Sequence, residues 1–293
     1  MQAEHRSALD LDLGYDRARA SDVRVLVLTG YGLNCEAETE AAFTRLGASV
    51  DVRHVADVID DGEGALRAYR ILAFIGGFSF GDHIASGRVY ANRLRFRLGD
   101  RLARFIDDRG LAIGLCNGFQ TLVKLGALPA LDRVAGDGLA RQSVTLMHND
   151  RVGYRDAWVR LKADPASPCL WTAGLGEAIV EVPSRHGEGK LVIGDPATAA
   201  AIDEGHLVPL RYVDAAGAPT EAWPENPSGS PGGAAALCDR SGRIFGMMPH
   251  PEAYLDPENH PRWRAQQLAG TLPPFGLGLR ILAGGVRAAI DGR

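Results

Sequence analysis

The chain has 293 residues, room for one large α/β domain or two small ones, and 46% of them are hydrophobic, so a full core can be buried. A formal net charge of −4, with arginines scattered among acids, argues against a nucleic-acid-binding stripe, and no apolar run approaches the ~20 residues that span a bilayer. Cys35, Cys116, Cys169 and Cys238 contain no C-x-x-C pair, so neither a zinc site nor a disulfide framework is expected, and the natural compartment is a reducing, cytoplasmic one.

Residues 1–20 are polar and lack the apolar segment of a signal peptide. Residues 1–22 are expected to be a flexible extension and residues 23–293 a single domain. Residues 23–28 form a continuous β-branched and apolar run, as in a strand buried on both faces. A glycine-containing turn over 29–34 leads to helical spacing over 36–46, which Gly47 stops. Further strands are expected at 48–54 and 71–75, the latter running into Gly76-Gly77-Phe78-Ser79-Phe80-Gly81-Asp82. Helical periodicity covers 89–108; 111–115 is the next strand and 117–125 its helix. This alternation predicts an α/β fold with a doubly wound, mostly parallel sheet. Beyond about residue 140 the short strand-like segments 143–147, 157–161, 178–183 and 190–193 have few helices between them and predict an added antiparallel patch. Residues 217–233 read as loop, 234–238 and 244–248 as a hairpin, 261–274 as irregular and 277–290 as a closing helix.

Chemistry concentrates at Gly114-Leu115-Cys116-Asn117-Gly118, where an apolar strand ends in a cysteine and a helix begins. This is the layout of a nucleophile elbow, a strained turn that lifts a reactive side chain above a parallel sheet and leaves no room for side chains at the flanking glycines. The helix N-terminus would favour the Cys116 thiolate. Taken alone, the five residues fit equally a buried cysteine between turn glycines.

A thiolate nucleophile needs a base, and the base needs an orienting group. Of eight histidines, His250 follows a buried strand directly, between Pro249 and Pro251, with Glu252 two residues on. A strand end in an open α/β sheet lies at the ligand-binding edge, and in extended geometry His250 and Glu252 share a side. A surface turn with a chance histidine is the competing reading. For the oxyanion that develops on carbonyl attack, the Asn117 and Gly77 amides are the candidate donors. The Gly76–Asp82 loop could also be only a turn; it does not match the phosphate-binding pattern G-x-x-x-x-G-K-[ST].

Gly114-Leu115-Cys116-Asn117-Gly118-Phe119-Gln120 together with Pro249-His250-Pro251-Glu252 resembles the class I (triad) glutamine amidotransferases. Gly32-Leu33-Asn34-Cys35, the Gly76–Asp82 loop, His186-Gly187-Glu188-Gly189 and Pro224-Glu225-Asn226-Pro227-Ser228-Gly229-Ser230 narrow the resemblance to the glutaminase subunits of phosphoribosylformylglycinamidine synthase. It runs from about residue 23 to the C-terminus. The resemblance implies a flavodoxin-like core and a triad of Cys116, His250 and Glu252 acting on L-glutamine through a γ-glutamyl thioester. It also implies glutamine contacts from Gln120, His186 and Gly187, and contacts from Phe78 and Ser79 to substrate or partner. No cofactor or metal is then expected in this chain: ATP and magnesium would belong to a synthetase subunit that receives the ammonia, joined by a small third subunit.

The 1–21 extension is additional to the usual pattern, and Ala253 stands where similar proteins commonly carry arginine. Two other readings compete. A cysteine peptidase or hydrolase with the same elbow would explain Gln120 and Pro249–Glu252 less well, and a silent regulatory subunit would not need all three triad residues.

Overall fold

The computed structural model describes residues 13–62 and 64–293. Its centre is a six-stranded sheet in the order β10-β11-β4-β3-β1-β2. The strands are β1 (Arg24–Thr29), β2 (Ser49–His54), β3 (Ile71–Phe74), β4 (Leu111–Leu115), β10 (Ala236–Cys238) and β11 (Ile244–Met247). All pairings are parallel except β10 with β11, the expected hairpin at one edge. Val25, Leu26, Val27 and Leu28 are all fully buried, which is why β1 reads as an unbroken apolar run rather than an alternating one.

The strands alternate with helices α1 (Glu36–Arg45), α2 (Val55–Asp60), α3 (Arg88–Asp107) and α4 (Asn117–Leu125), and α7 (Gly278–Ile290) closes the chain. Two neighbouring residues of β11 show that both faces are covered. A Cβ on Gly246 would meet Phe119 of α4 at 2.2 Å, whereas Phe245 stacks on Trp171 from the other side. Trp171 in turn lies against Gly284 and Gly285 of α7, where no side chain would fit beside its backbone and ring.

The predicted antiparallel patch is two small sheets. One pairs β5 (Val144–His148) with β8 (Glu188–Ile193); the other has the order β7-β6-β9, from β6 (Arg155–Ala163), β7 (Ile179–His186) and β9 (Leu210–Tyr212). An isolated bridge between Ser184 and Pro249 joins β7 to the segment after β11.

Three helices depart from the sequence expectation. In α2, Val55, Val58 and Ile59 are buried at helical spacing, and His54 caps the first turn by accepting from the Ala56 N–H through Nδ1. Helix α5 (Pro196–Glu204) has only Ile202 buried, so it lacks the apolar stripe by which helices are recognised. Helix α6 (Trp263–Leu268) occupies part of the stretch read as irregular and buries none of its residues.

The expected flexible extension divides. Residues 1–12 lie outside the described residues. The stretch 13–22 is docked rather than loose: Leu13 and Ala20 are buried, Tyr15 donates through its hydroxyl to the Leu46 carbonyl, and a helical turn over Arg17–Ala20 packs on α7. Apolar contacts made by these few residues are enough to hold a segment that is polar on average.

Candidate active site

The elbow is strained as its sequence requires. Cys116 has φ 50° and ψ −105°, a left-handed conformation that a side-chain-bearing residue adopts only when its surroundings enforce it. Enforcement comes from close packing. A Cβ on Gly118 would lie 1.9 Å from the Phe74 carbonyl oxygen, and one on Gly114 would meet both the Gly118 carbonyl oxygen and Leu122 at 2.7 Å. The turn of α4 therefore presses against β3 and β4 with backbone alone. The Cys116 N–H donates to the Met247 carbonyl at 2.9 Å, locking the elbow to the end of β11.

That lock brings the base to the nucleophile. Parallel pairing sets Met247 beside Leu115, so both strands end together, and the chain leaving β11 reaches His250 three residues later. His250 donates its N–H to the Pro183 carbonyl at 2.7 Å, which fixes its backbone to β7. Its side chain touches Cys116, and Nδ1 lies 2.6 Å from Oε1 of Glu252. Both residues are buried. Burial alone would push the imidazole down. The Glu252 and Cys116 charges, with hydrogen-bonding contacts to Cys116 and Cys35, outweigh it and hold His250 well above the usual histidine value. The imidazolium is thus the favoured form beside the sulfur.

Cys116, His250 and Glu252 share a cavity of about 240 Å³ with Cys35, Gly77 and Tyr154 among its other lining residues. Gly77 bridges Leu33, and the two hydrogen bonds around that bridge run from the Phe78 N–H to the Gly32 carbonyl and from the Asn34 N–H to the Gly76 carbonyl. The N–H of Gly77 itself is left out of both. The Asn117 N–H is the first of α4, where helix geometry supplies no acceptor. Of the two candidate oxyanion donors, Gly77 shares the cavity lining with Cys116, and Asn117 follows Cys116 directly at the start of α4.

The chain matches the CobB/CobQ-like glutamine amidotransferase domain over residues 22–280. It is 37% identical to the phosphoribosylformylglycinamidine synthase subunit PurQ of Dehalococcoides mccartyi over 269 residues, covering 92% of this chain and 98% of that protein. The PurQ subunit of Methanococcus maripaludis is 38% identical over 247 residues, covering 83% of this chain and 87% of that protein. The chain belongs to the PurQ family of glutamine amidotransferases. In fold it is similar to a chain of PurLQS from Thermotoga maritima, with a TM-score of 0.63 at 23% identity, covering 91% of this chain and 98% of that one.

Of the other sequence-derived residues, Phe78 lines the cavity, whereas Gln120, His186, Gly187 and Ser79 do not. Gln120 is buried behind the elbow, its amide donating to the Glu188 carbonyl at 2.5 Å and accepting from Asn117 Nδ2 at 3.0 Å. His186 is buried with Nδ1 3.1 Å from Asn149 Oδ1, and a Cβ on Gly189 would strike its ring at 2.5 Å. Burial, reinforced by the charge of His250, pushes His186 down to about 3, so it is neutral. Gly187 accepts from the Asn149 N–H through its carbonyl. Hydrogen bonds to Glu188 and Asn149 tie these residues into a buried polar layer. Ser79 is buried, whereas Phe78 is 46% exposed and faces Tyr154 with ring centroids 6.1 Å apart at the rim.

Residues to which the sequence assigned no role also line the cavity. Tyr154 and Arg185 come from the antiparallel strands and their connections, and Cys116 Sγ lies 3.5 Å from the Arg185 carbonyl. Nothing in their local sequence signals this. Cys35 did carry a signal, as the end of Gly32-Leu33-Asn34-Cys35, and it sits against His250.

Proposed function

We propose that the chain is the glutaminase subunit of phosphoribosylformylglycinamidine synthase, releasing ammonia from L-glutamine for de novo purine biosynthesis. The observation that carries this reading is a strained cysteine sharing one cavity with a buried His–Glu pair, in a member of the PurQ family.

In this mechanism the Cys116 sulfur attacks the side-chain amide carbon of glutamine. The oxygen of the tetrahedral intermediate receives hydrogen bonds from the Gly77 and Asn117 amides. His250 gives its proton to the departing nitrogen, and ammonia leaves a γ-glutamyl thioester on Cys116. His250 then takes a proton from water, hydroxide adds to the thioester, and collapse expels the Cys116 thiolate beside the restored imidazolium, while glutamate departs as its carboxylate with one proton released to solvent. Glu252 holds the imidazole through Nδ1 throughout. Gln120, His186 and Gly187 act on glutamine by fixing the floor of its pocket.

ATP and magnesium are assigned to a separate synthetase subunit that consumes the ammonia, with a small third subunit completing a cytoplasmic complex. The exposed aromatic pair Phe78 and Tyr154, which lines the cavity, suits a partner seated over its mouth. Among the described residues no helix is long and apolar enough to cross a membrane.

The test is glutamine-dependent synthesis in the reconstituted complex. Cys116→Ala should lower it by a factor of roughly 10⁴ or more while synthesis from ammonium persists. Full glutamine-dependent activity in Cys116→Ala would remove the reading.

A further inference from the structure

Cys35 is a cavity thiol with no task in the mechanism above. Its Sγ, a ring nitrogen of His250 and a carboxylate oxygen of Glu252 all lie within 4.8 Å of one another. Gly76 permits this approach: a Cβ there would stand 3.0 Å from Cys35 Sγ and 2.9 Å from His250 Cε1. Apart from the thiol contacts of His250 already described, two buried atoms of the group have no protein hydrogen-bond partner, His250 Nε2 and Glu252 Oε2. The residues that carry them are 5% and 1% exposed, so water does not readily satisfy them. Orienting the imidazole uses Oε1 and leaves Oε2 unexplained.

A thiolate, an imidazole and a carboxylate are a donor set for zinc. Bonds of about 2.0–2.3 Å to a tetrahedral ion place donor atoms roughly 3.3–3.8 Å apart. Side-chain movements on the order of 1 Å therefore close the group around an ion. We propose that Cys35, His250 and Glu252 form a binding site for zinc or a similar thiophilic divalent cation, and that its occupancy blocks the triad. The ion displaces the Cys35 thiol proton to solvent, as it does any proton on the ring nitrogen that it takes. The imidazole then no longer carries protons for Cys116. The sequence conceals this site because its ligands come from the start of α1 and from the loop after β11, far apart along the chain. The site overlaps the glutaminase centre, but its argument rests on donor geometry and not on that activity.

Cobalt(II) is the probe, added to the full chain and followed by its thiolate charge-transfer absorption. Wild type and Cys116→Ala should both give the band at one ion per chain. Cys35→Ala should lose it, and the near-isosteric Cys35→Ser should bind at least tenfold more weakly, with circular dichroism confirming that each variant is folded. In a second measurement zinc should slow iodoacetamide alkylation of Cys116 at least tenfold in wild type and less than twofold in Cys35→Ala. A band that survives Cys35→Ala would place the ion elsewhere, for instance on Cys169 and Cys238, whose thiols touch in the core. A band lost in Cys116→Ala would place it on the nucleophile. Either result, or no band in wild type, overturns the proposal. Neither measurement reads glutamine hydrolysis, so an inert glutaminase would leave the outcome interpretable.

Discussion

At the scale of single residues, the site is a balance between strain at Cys116 and the contacts that impose it. Gly118 is the most exacting of these, because its missing Cβ is the space occupied by the Phe74 carbonyl. Gly118→Ala should cost about 3 kcal/mol or more, read as a lower urea midpoint, since backbone and not a flexible side chain must yield. Glu252→Gln should lower kcat by roughly 10²–10⁴ while the fold persists, because the imidazole loses the group that orients it. It should also lower the pH at which His250 titrates by NMR. The favoured imidazolium contributes stability that is full below the ordinary histidine value of about 6.5 and is lost as pH rises through the raised folded value. The stability difference between wild type and Glu252→Gln should therefore narrow across that window. The nucleophile, base and orienting acid were legible because each sits at a strand end flanked by glycine or proline. Tyr154 and Arg185 were not, because their place at the cavity depends on how a separate sheet docks, and period-2 patterning does not encode docking.

At the scale of elements, α4 carries the elbow on its first turn and an unusual cation on its last. Lys124 is buried, with Nζ 3.3 Å from the Leu146 carbonyl, and burial, partly offset by Glu188, pushes it down to about 8. Unfolded, the lysine keeps its proton up to about pH 10. Between those values the unfolded chain binds more protons, so stability should rise with pH across that window. Lys124→Met should abolish the rise and gain on the order of 2–3 kcal/mol at neutral pH, as measured by urea melts at about pH 7 and about pH 10. Helix α5 depends on its cap: Asp195 accepts from the Thr198 N–H at 2.9 Å and from the Ala197 N–H at 3.4 Å. Asp195→Ala should cost about 1 kcal/mol with activity unchanged. That cap, followed by Pro196, was the available sign of a helix whose alanine-rich body buries a single residue. The long α3 announced itself by contrast through Tyr90, Leu94, Leu98 and Leu102, buried at every fourth position.

At the scale of the whole molecule, the parallel core was readable from the alternation of apolar strands and helices, and the two small sheets were readable only as short strands of undetermined pairing. Their connection to the core is what the sequence does not state: a bridge at Ser184 and Pro249, and the hydrogen bond from His250 to Pro183. Trp171 joins the other face, where it is fully buried between β11 and α7 and donates to the Arg243 carbonyl at 2.9 Å. Trp171→Ala should cost about 3–5 kcal/mol and lower the thermal midpoint without a selective effect on kcat, since the cavity it leaves lies away from the catalytic edge.

The bond between His250 and Pro183 has a mechanical consequence. One end of the β6–β7 ribbon holds the imidazole by its backbone, while the loop before β6 presents Tyr154 to solvent at the rim. Both features lie toward the same end of the ribbon, where Arg155 pairs with His186 and Trp158 with Pro183. Shifting that end of the ribbon would carry the base away from the sulfur, so the seating of the small sheet and the alignment of the triad are a single event.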